Sequence, residues 1–378
     1  MTDLEFVTHH RRVLHQYPEI SMQEFKTTDH IIEFLEKMGI DYERPLKTGA
    51  VAYLEGNSDR TLAYRADIDA LSIHEDSDTP YRSTVQGAMH ACGHDGHTAA
   101  LMLFAKRCKV LADQGRLTHN VIFIFQPSEE TAAGANQLID AWQPGMAIEA
   151  VFGVHMMPNE DEGKVTLRDD EITASATEFR FYINGQSAHV AAKHEGISSI
   201  ETLLHIALQL TQMQHFHLNG LNRNIIHIGN LNAGEAINTV ASQGYLEGTI
   251  RTYEVDDLAV IKSRMQTLAR TAGELFGSTI EVTFNEGYPP VMNAKILRQP
   301  VEAALSNLKL DVVENDKPYL FGEDFSFYSR LAPSYFVFFG SRNEKKGFTS
   351  SLHTSTFDLD ENILIDVADY FEALMNEI

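Results

Sequence analysis

Two short apolar runs constrain this chain more than anything else in it: NVIFIFQ at 120–126 and IEAVFGVH at 148–155. Neither alternates apolar with polar residues. A strand with one wet face alternates, so each run reads as a strand covered on both faces. Around them lie stretches with apolar residues at helical spacing, HTAALMLFAKRCKVLADQ at 97–114 and a second at about 131–142. Strands alternating with helices predict a mostly parallel sheet wrapped by helices. AVAYLE (50–55) and TLAYRA (61–66), bounded by turn residues, add two strands. Ahead of them, helical patterns at 3–16 and about 21–38 are split by Pro18.

The pattern changes near 175. ATEFRFYING (176–185) alternates like a half-buried strand, and ISSIETLLHIALQLTQMQ (197–214) is helical. Strand patterns follow at 224–234 and 243–252, then a helix at 256–276 and a strand at 279–287. The order β-α-β-β-α-β is that of the ferredoxin-like split motif. Residues 175–286 are therefore expected to form an inserted satellite domain, leaving 1–174 and 287–378 as the two parts of an α/β domain with a mostly parallel sheet. Two domains also suit a length of 378 residues, too long for one ordinary core. Helix and strand alternate again at 297–308 and 334–341. A final helix carries Leu364, Val367, Ala368, Phe371, Leu374 and Ile378 on one stripe.

A formal net charge of -23 argues against nucleic acid or an anionic membrane surface as partner. The first twenty residues have no apolar core of the signal-peptide kind, and no run has the length to span a bilayer. Two cysteines make no disulfide framework. The expectation is a soluble protein of the reducing cytoplasm with free thiols. Cys108 falls inside a helical pattern and reads as core. Cys92 falls in MHACGHDGH (89–97), where it is available as a metal ligand or a nucleophile.

Polar residues then collect where the strands end. Asp67 and Asp69 follow the strand 61–66, Glu129 and Glu130 follow 120–126, His155 ends 148–155, and His353 lies in the loop after 334–341. Ligands of open parallel sheets bind beyond the carboxyl ends of the strands, so these groups, with Cys92 and His94, are expected to share one site. A thiolate, three imidazoles and a carboxylate suit zinc or a similar first-row ion better than magnesium or calcium. Five ligands exceed one tetrahedral site and suit two metals. Adjacent residues of an extended segment point opposite ways, so one of Glu129 and Glu130 is expected to bind metal while the other acts as general base. Asp67 is expected to orient a ligand histidine. His90 and His97 are read as structural.

YRADIDAL, MHACGHDGH, FIFQPSEE, GVH and LHTS, in this order, resemble the metallopeptidase-related aminoacylase family, whose members include carboxypeptidase G, aminoacylase and hippurate hydrolase. The resemblance extends to the opener RRVLHQYPEISMQEFKTT and to FGEDFSFY (321–328). It implies a di-metal catalytic domain with a ferredoxin-like satellite used for dimerisation, and hydrolysis of N-acyl amino acids. The implied ligands are Cys92, His94, Glu130, His155 and His353, with Glu129 as general base and Asp67 bracing the centre. The implied ions are two divalent metals, zinc first, with manganese, cobalt or nickel as alternatives. His189 in SAHV is implied to reach the partner's site in a homodimer. Asn238 and Arg251 match substrate-binding positions, Arg251 being the candidate to grip the substrate carboxylate unless it pairs with Glu247 or Glu254. Where many relatives carry a metal-binding histidine this chain has Arg65, which cannot ligate, and His94 is implied to compensate. ITASATEFRF, NEGYPP and PSYFVFFGSRNEKKGF resemble deacetylases of N-acetyl-LL-diaminopimelate in lysine biosynthesis; a broader N-acyl-amino-acid amidohydrolase is the alternative. A thiol hydrolase on Cys92 and His94 would leave Glu130, His155 and His353 without a role.

Overall fold

In a computed structural model, described for every residue except Glu286 and Lys309, the apolar runs lie in the middle of an eight-stranded sheet. The chain enters through two helices, α1 (Asp3–Gln16) and α2 (Phe25–Met38). Then come β1 (Asp41–Glu43), β2 (Ala50–Leu54), β3 (Thr61–Asp67), α3 (His94–Asp113) and β4 (Asn120–Gln126). Next are the short helices α4 (Glu129–Ala132) and α5 (Gly134–Ala141), the long strand β5 (Ala150–Asp161), and β6 (Lys164–Leu167) and β7 (Asp170–Glu171). The insert follows as β8 (Thr177–Asn184), α6 (Ser199–His217), β9 (Asn224–Ala233), β10 (Gln243–Thr252), α7 (Val255–Phe276) and β11 (Thr279–Phe284). The chain closes with β12 (Met292–Asn293), α8 (Arg298–Ser306), β13 (Asp311–Glu314), β14 (Ser334–Arg342) and α9 (Asn362–Glu377).

The first unit comprises Met1–Ile172, Met292–Lys317 and Asp324–Ile378. Its sheet runs β1-β2-β4-β3-β5-β14-β6-β13. The central pairs β4–β3, β3–β5 and β5–β14 are parallel, as is β6–β13 at the edge; the other three are antiparallel. Every residue of β3 is buried, and all of β4 but Asn120, which is why these runs show no alternation. The register sets Asp67 opposite Gln126 and Arg65 opposite Gly153, so His155 comes level with Asp67. Gly153 lies against two rings: a Cβ there would sit 2.7 Å from Phe325 Cε2 and 2.8 Å from Phe336. Leu364, Val367, Ala368, Phe371 and Leu374 of α9 are all buried, in the expected stripe.

Two expectations shift. The helix expected from 97 starts at His94, because Gly93 takes φ 90° and turns the chain into α3 three residues early. His155 does not end its strand: β5 continues to Asp161, carried on by pairing with β14.

The second unit comprises Thr173–Val291 and Pro318–Glu323. Its four strands are antiparallel in the order β11-β8-β10-β9. Phe179, Phe181 and Ile183 of β8 pack with Leu203, Ile206 and Leu210 of α6 and Ile261 and Met265 of α7, while Glu178, Arg180 and Tyr182 point to the open face. Against the expected 175–286, the unit starts at Thr173, runs on to Val291 and takes Pro318–Glu323 from the stretch expected in the other domain, because bridges such as Thr173–Tyr319 tie those residues to it; Glu286, the expected last residue, lies outside the described residues. Among the described residues no helix is long and apolar enough to cross a membrane.

Helix α1 docks through charge as well as apolar contact. Arg11 Nε and His15 Nδ1 donate to Asp95 Oδ2 at 3.2 and 2.8 Å, and His15 Nε2 lies 3.3 Å from Glu75 Oε1, all four residues being buried. Burial opposes a charge on His15, but Asp95 and Glu75 overcome it and raise its pKa from 6.5 to about 9, with Arg11 opposing weakly. A raised folded pKa stabilises the fold below the unfolded value and ceases to do so as pH climbs through the folded one. The stability lost in His15→Gln is therefore expected to be greatest at or below about pH 6, on the order of 2 kcal/mol, and to shrink toward about pH 9.5. Urea unfolding of both proteins across that range checks it.

Candidate active site

Four candidate ligands gather at the Cys92 sulfur or its neighbours. Cys92 Sγ lies 3.3 Å from His155 Nε2 and 3.3 Å from His353 Nε2. His353 Nε2 is 3.3 Å from Glu130 Oε1, and His94 Nε2 is 3.8 Å from the same oxygen. Potential ligand atoms of Cys92, Glu130 and His353 lie within 4.8 Å of one another; so do those of Asp67, His94, His97 and His155, and those of His94, Glu129 and Glu130. The residues expected from the strand ends are thus brought together from five stretches of chain.

Each is aimed by backbone. His94 is the first residue of α3, and its Nδ1–H donates to the Asp69 carbonyl at 2.9 Å, leaving Nε2 facing the cluster. His155 Nδ1–H donates to the Met156 carbonyl at 2.8 Å, which likewise points Nε2 at Cys92. His353 has φ 59°, and its amide donates to the Ala91 carbonyl at 2.8 Å, tying its loop to the one that carries Cys92. Ser128 (φ 59°) and Ala133 (φ 48°) flank Glu129–Ala132, so the chain leaves β4 through a left-handed turn straight into α4. Non-glycine residues in that region concentrate at functional sites.

That turn corrects one expectation. Glu129 and Glu130 are not alternating residues of an extended segment but successive residues of a helical turn, and both carboxylates reach the His94 imidazole. Their partners distinguish them: Glu130 meets His353 and His94, while Glu129 Oε1 accepts the Asp324 amide at 3.4 Å. Asp67 also differs from its expected role. It is Asp69 that orients His94, whereas Asp67 Oδ2 lies 3.6 Å from His94 Nε2 on the side of the cluster.

Electrostatics mark the cluster as rich in negative charge. Burial opposes a charge on His94, yet Asp67, Asp69 and Glu130 raise its pKa to about 10. Burial and then Glu130, Glu129 and Asp67 push the Cys92 thiol well above its usual range. Burial, with His97 and His94 adding to it, keeps His155 neutral. His94 Nε2 and Glu130 Oε1 are buried and make no hydrogen bond among the described residues. Buried polar atoms without partners are costly, and these two are potential ligand atoms with a buried sulfur nearby. The donor set of Cys92, His94, Glu130, His155 and His353, with Asp67 among them, therefore fits a pair of soft-to-borderline divalent cations.

Several residues support the site without belonging to the expected ligand set. His97 Nε2 accepts the Met156 amide at 3.1 Å and its Nδ1–H donates to Asp67 Oδ1 at 2.6 Å, so it braces Asp67 and has no lone pair left for a metal. Arg65 donates to Gln126 (2.7 Å), Asp67 (2.8 Å) and Asp324 (2.9 Å) beneath the site. Asp69 accepts the amides of Glu129 and Glu130 at 3.1 and 3.0 Å. The position of Asp324 in the quoted stretch 321–328 was the available signal; that of Asp69 was its place beside Asp67.

The expected substrate contacts lie in the second unit. His189 and Asn238 are exposed and adjacent: His189 bridges Thr239, and the Val190 amide donates to the Asn238 carbonyl at 3.0 Å. Arg251 stands near the far end of β10, roughly 25 Å along the strand from Gln243. It is half-buried and forms no ion pair among the described residues; Glu247 pairs with Arg180. Burial lowers the pKa of Arg251, with Glu178 opposing.

The sequence pattern of peptidase family M20/M25/M40 matches residues 63–377. An uncharacterized hydrolase of Staphylococcus haemolyticus is 59% identical over 377 residues, covering 99% of this chain and 98% of its own. Another, of Staphylococcus aureus USA300, is 57% identical over 378 residues, covering 100% and 99%. The crystal structure of the Bacillus subtilis YXEP protein, a dinuclear metal binding peptidase from the M20 family, superposes with a TM-score of 0.84 at 31% identity, covering 99% of this chain and 97% of that one. A crystal structure from methicillin resistant Staphylococcus aureus reaches a TM-score of 0.93 at 27% identity with the same coverage.

If the Cys92 sulfur is a ligand atom, zinc added to chelator-treated protein slows its alkylation by about tenfold or more and leaves Cys108 unchanged. Mass spectrometry of the two peptides reads both rates. Equal Cys92 rates with and without zinc would remove it from the ligand set.

Proposed function

The chain belongs to peptidase family M20/M25/M40, and on that premise we propose that it is a di-metal amidohydrolase cleaving the amide bond of an N-acyl amino acid. The observation that carries this reading is the convergence of Cys92, His94, Glu130, His155 and His353 at one edge of the sheet, His353 on its exposed side, with two buried ligand atoms that make no hydrogen bond among the described residues. The dinuclear site of the similar Bacillus subtilis protein supports two ions, with zinc suited to the thiolate and imidazoles and manganese, cobalt or nickel as candidates. Such ions supply Lewis-acid polarisation of a carbonyl and make water more acidic.

The remaining work falls to the protein's own side chains. Glu129, buried beside His94 and positioned by the Asp69 carboxylate through its amide, accepts a proton from the attacking water. As the carbon–nitrogen bond breaks, it passes that proton to the leaving amine, so a carboxylic acid and a free amino acid result. Asp67, held by Arg65 and His97, fixes the cluster from behind. Arg251, a half-buried guanidinium with no ion pair among the described residues, captures the carboxylate of the leaving amino acid. Ile200, Leu204 and Leu208 form an exposed stripe on α6, which supports a homodimer through the satellite, with His189 serving the partner's site and Asn238 binding substrate. The first substrate to try is N-acetyl-LL-diaminopimelate, placing the enzyme in cytoplasmic lysine biosynthesis; other N-acyl-L-amino acids are the broader choice.

Glu129→Gln is expected to retain metal and lose about 10²–10⁴-fold in turnover, whereas Glu130→Gln loses metal affinity. Metal analysis beside steady-state kinetics separates the two, and the opposite pattern would exchange their roles. A panel of N-acyl amino acids that includes N-acetyl-LL-diaminopimelate tests the reaction itself; a fully metal-loaded protein that cleaves none of them would refute it.

The carboxylate contact has its own cycle. Arg251→Ala, assayed on the acid and the amidated form of one N-acetyl substrate, is expected to cost about 2–5 kcal/mol in kcat/KM on the acid alone. An equal loss on both forms would mean that Arg251 does not read the carboxylate.

A further inference from the structure

The opener RRVLHQYPEISMQEF precedes the residues matched by the family pattern, 63–377, yet its side chains hold the site from two directions. From α1, the fully buried Arg11 donates through Nε to Asp95 Oδ2 at 3.2 Å and through Nη1 to the Leu359 carbonyl at 3.2 Å, and its Nη2 bonds Asp358. Asp95 follows His94 directly, and Leu359 lies six residues beyond His353. One guanidinium thus links the segments that bear two candidate ligands some 260 residues apart in sequence.

From the loop after Pro18, Ser21 Oγ donates to Asp69 Oδ2 at 2.6 Å. The fully buried Glu24 accepts the Ser128 amide at 2.9 Å and the Met22 amide at 2.9 Å on one oxygen. Asp69 in turn holds the amides of Glu129 and Glu130, and Ser128 is the left-handed residue that launches their helix. A residue held in that region persists only when its surroundings over-determine it. Ser21 and Glu24 supply two of those restraints.

We propose that residues 11–24 are a positioning clamp for the active site: Arg11 locks the His94 and His353 segments to each other, and Ser21 and Glu24 lock the turn that carries Glu129 and Glu130. Their partners are Asp95, Asp358, Asp69 and Ser128, so they act through other residues and are not catalytic. The kinetic part of the inference rests on the amidohydrolase reading; the geometric part does not.

A merely structural role for α1 makes a different forecast. Loss of global stability exposes Cys92 and Cys108 together, since both are buried and Cys108 belongs to the core that α1 joins, whereas release of the clamp loosens the Cys92 loop alone. The variants are Arg11→Lys, which keeps charge but loses the fork; Glu24→Ala; Glu24→Gln, whose amide oxygen can still accept the Ser128 amide; and Val7→Ala, a buried core residue of α1, as the destabilised control. In chelator-treated protein, Arg11→Lys is expected to raise the ratio of Cys92 to Cys108 alkylation about tenfold, and Val7→Ala to leave it within about twofold. In metal-loaded protein, Arg11→Lys is expected to weaken cobalt binding about 10–100-fold, read from the cobalt–thiolate absorption. Glu24→Ala is expected to lower kcat about tenfold with KM little changed, and Glu24→Gln to restore it. If Arg11→Lys fails to fold, Ser21→Ala and Glu24→Ala carry the test through the same kcat-against-KM split. An unchanged Cys92-to-Cys108 ratio in Arg11→Lys, or an unchanged kcat in Glu24→Ala, would overturn the clamp. A wild-type protein that binds no cobalt and cleaves no acyl amino acid would refute the amidohydrolase reading, while the alkylation ratio would still decide the clamp.

Discussion

The buried carboxylate of Asp69 is the contact on which the site's geometry depends. It receives the Glu129 amide, the Glu130 amide, the Ser21 hydroxyl and the His94 imidazole, and its own carbonyl takes the His94 Nδ1–H. Burial alone would disfavour its charge, but the bond from His94 and the others overcome that and lower its pKa. A carboxylate saturated in this way is stable as an anion inside the protein, and it ties the Ser21 loop, the start of α3 and the Glu129–Glu130 turn to one point. Loss of any one donor leaves the others aimed at a less well satisfied charge.

Beneath it lies a second layer with the same logic. Arg65 stands where it spans Asp67, Gln126 and Asp324, and Gln126 and the Ala135 amide also donate to Asp324. Tyr328 donates to Gln126 at 3.1 Å. The platform neutralises part of the acidity from below and leaves the upper face, with Glu129, Glu130 and the Cys92 sulfur, in need of positive charge. That arrangement explains why His94 is driven toward its charged form although it is wholly buried. Replacing that proton by a divalent cation answers the same electrostatic demand with more charge.

Much of this was legible in the chain as written. The unalternating runs at 120–126 and 148–155 announced buried parallel strands because full burial removes the period-two signal, and β4 and β5 lie mid-sheet. The switch to alternation at 176 announced an antiparallel unit because only one face of that sheet is covered by helices. Strand ends located most of the converging residues. What escaped was local conformation: the early start of α3 depends on one glycine at positive φ, and the helical turn at Glu129 depends on Ser128 adopting a conformation its type rarely takes. The long β5 escaped because its extension exists only in pairing with β14.

Residue type and spacing alone determined the layers, the inserted unit and the stock of thiol, imidazole and carboxylate at one edge, since periodicity records burial and strand polarity sets which ends share an edge. Only the tertiary structure decided which nitrogen of each histidine faces the cluster, that His97 serves Asp67, that Asp69 rather than Asp67 orients His94, and that Arg11 reaches across to the loop after His353. Those outcomes rest on hydrogen bonds between residues tens to hundreds of positions apart, and a hydrogen bond is set by distance and angle within a few tenths of an ångström. No pattern along the chain carries information of that kind; it arises when the sheet, α1 and α3 are packed together.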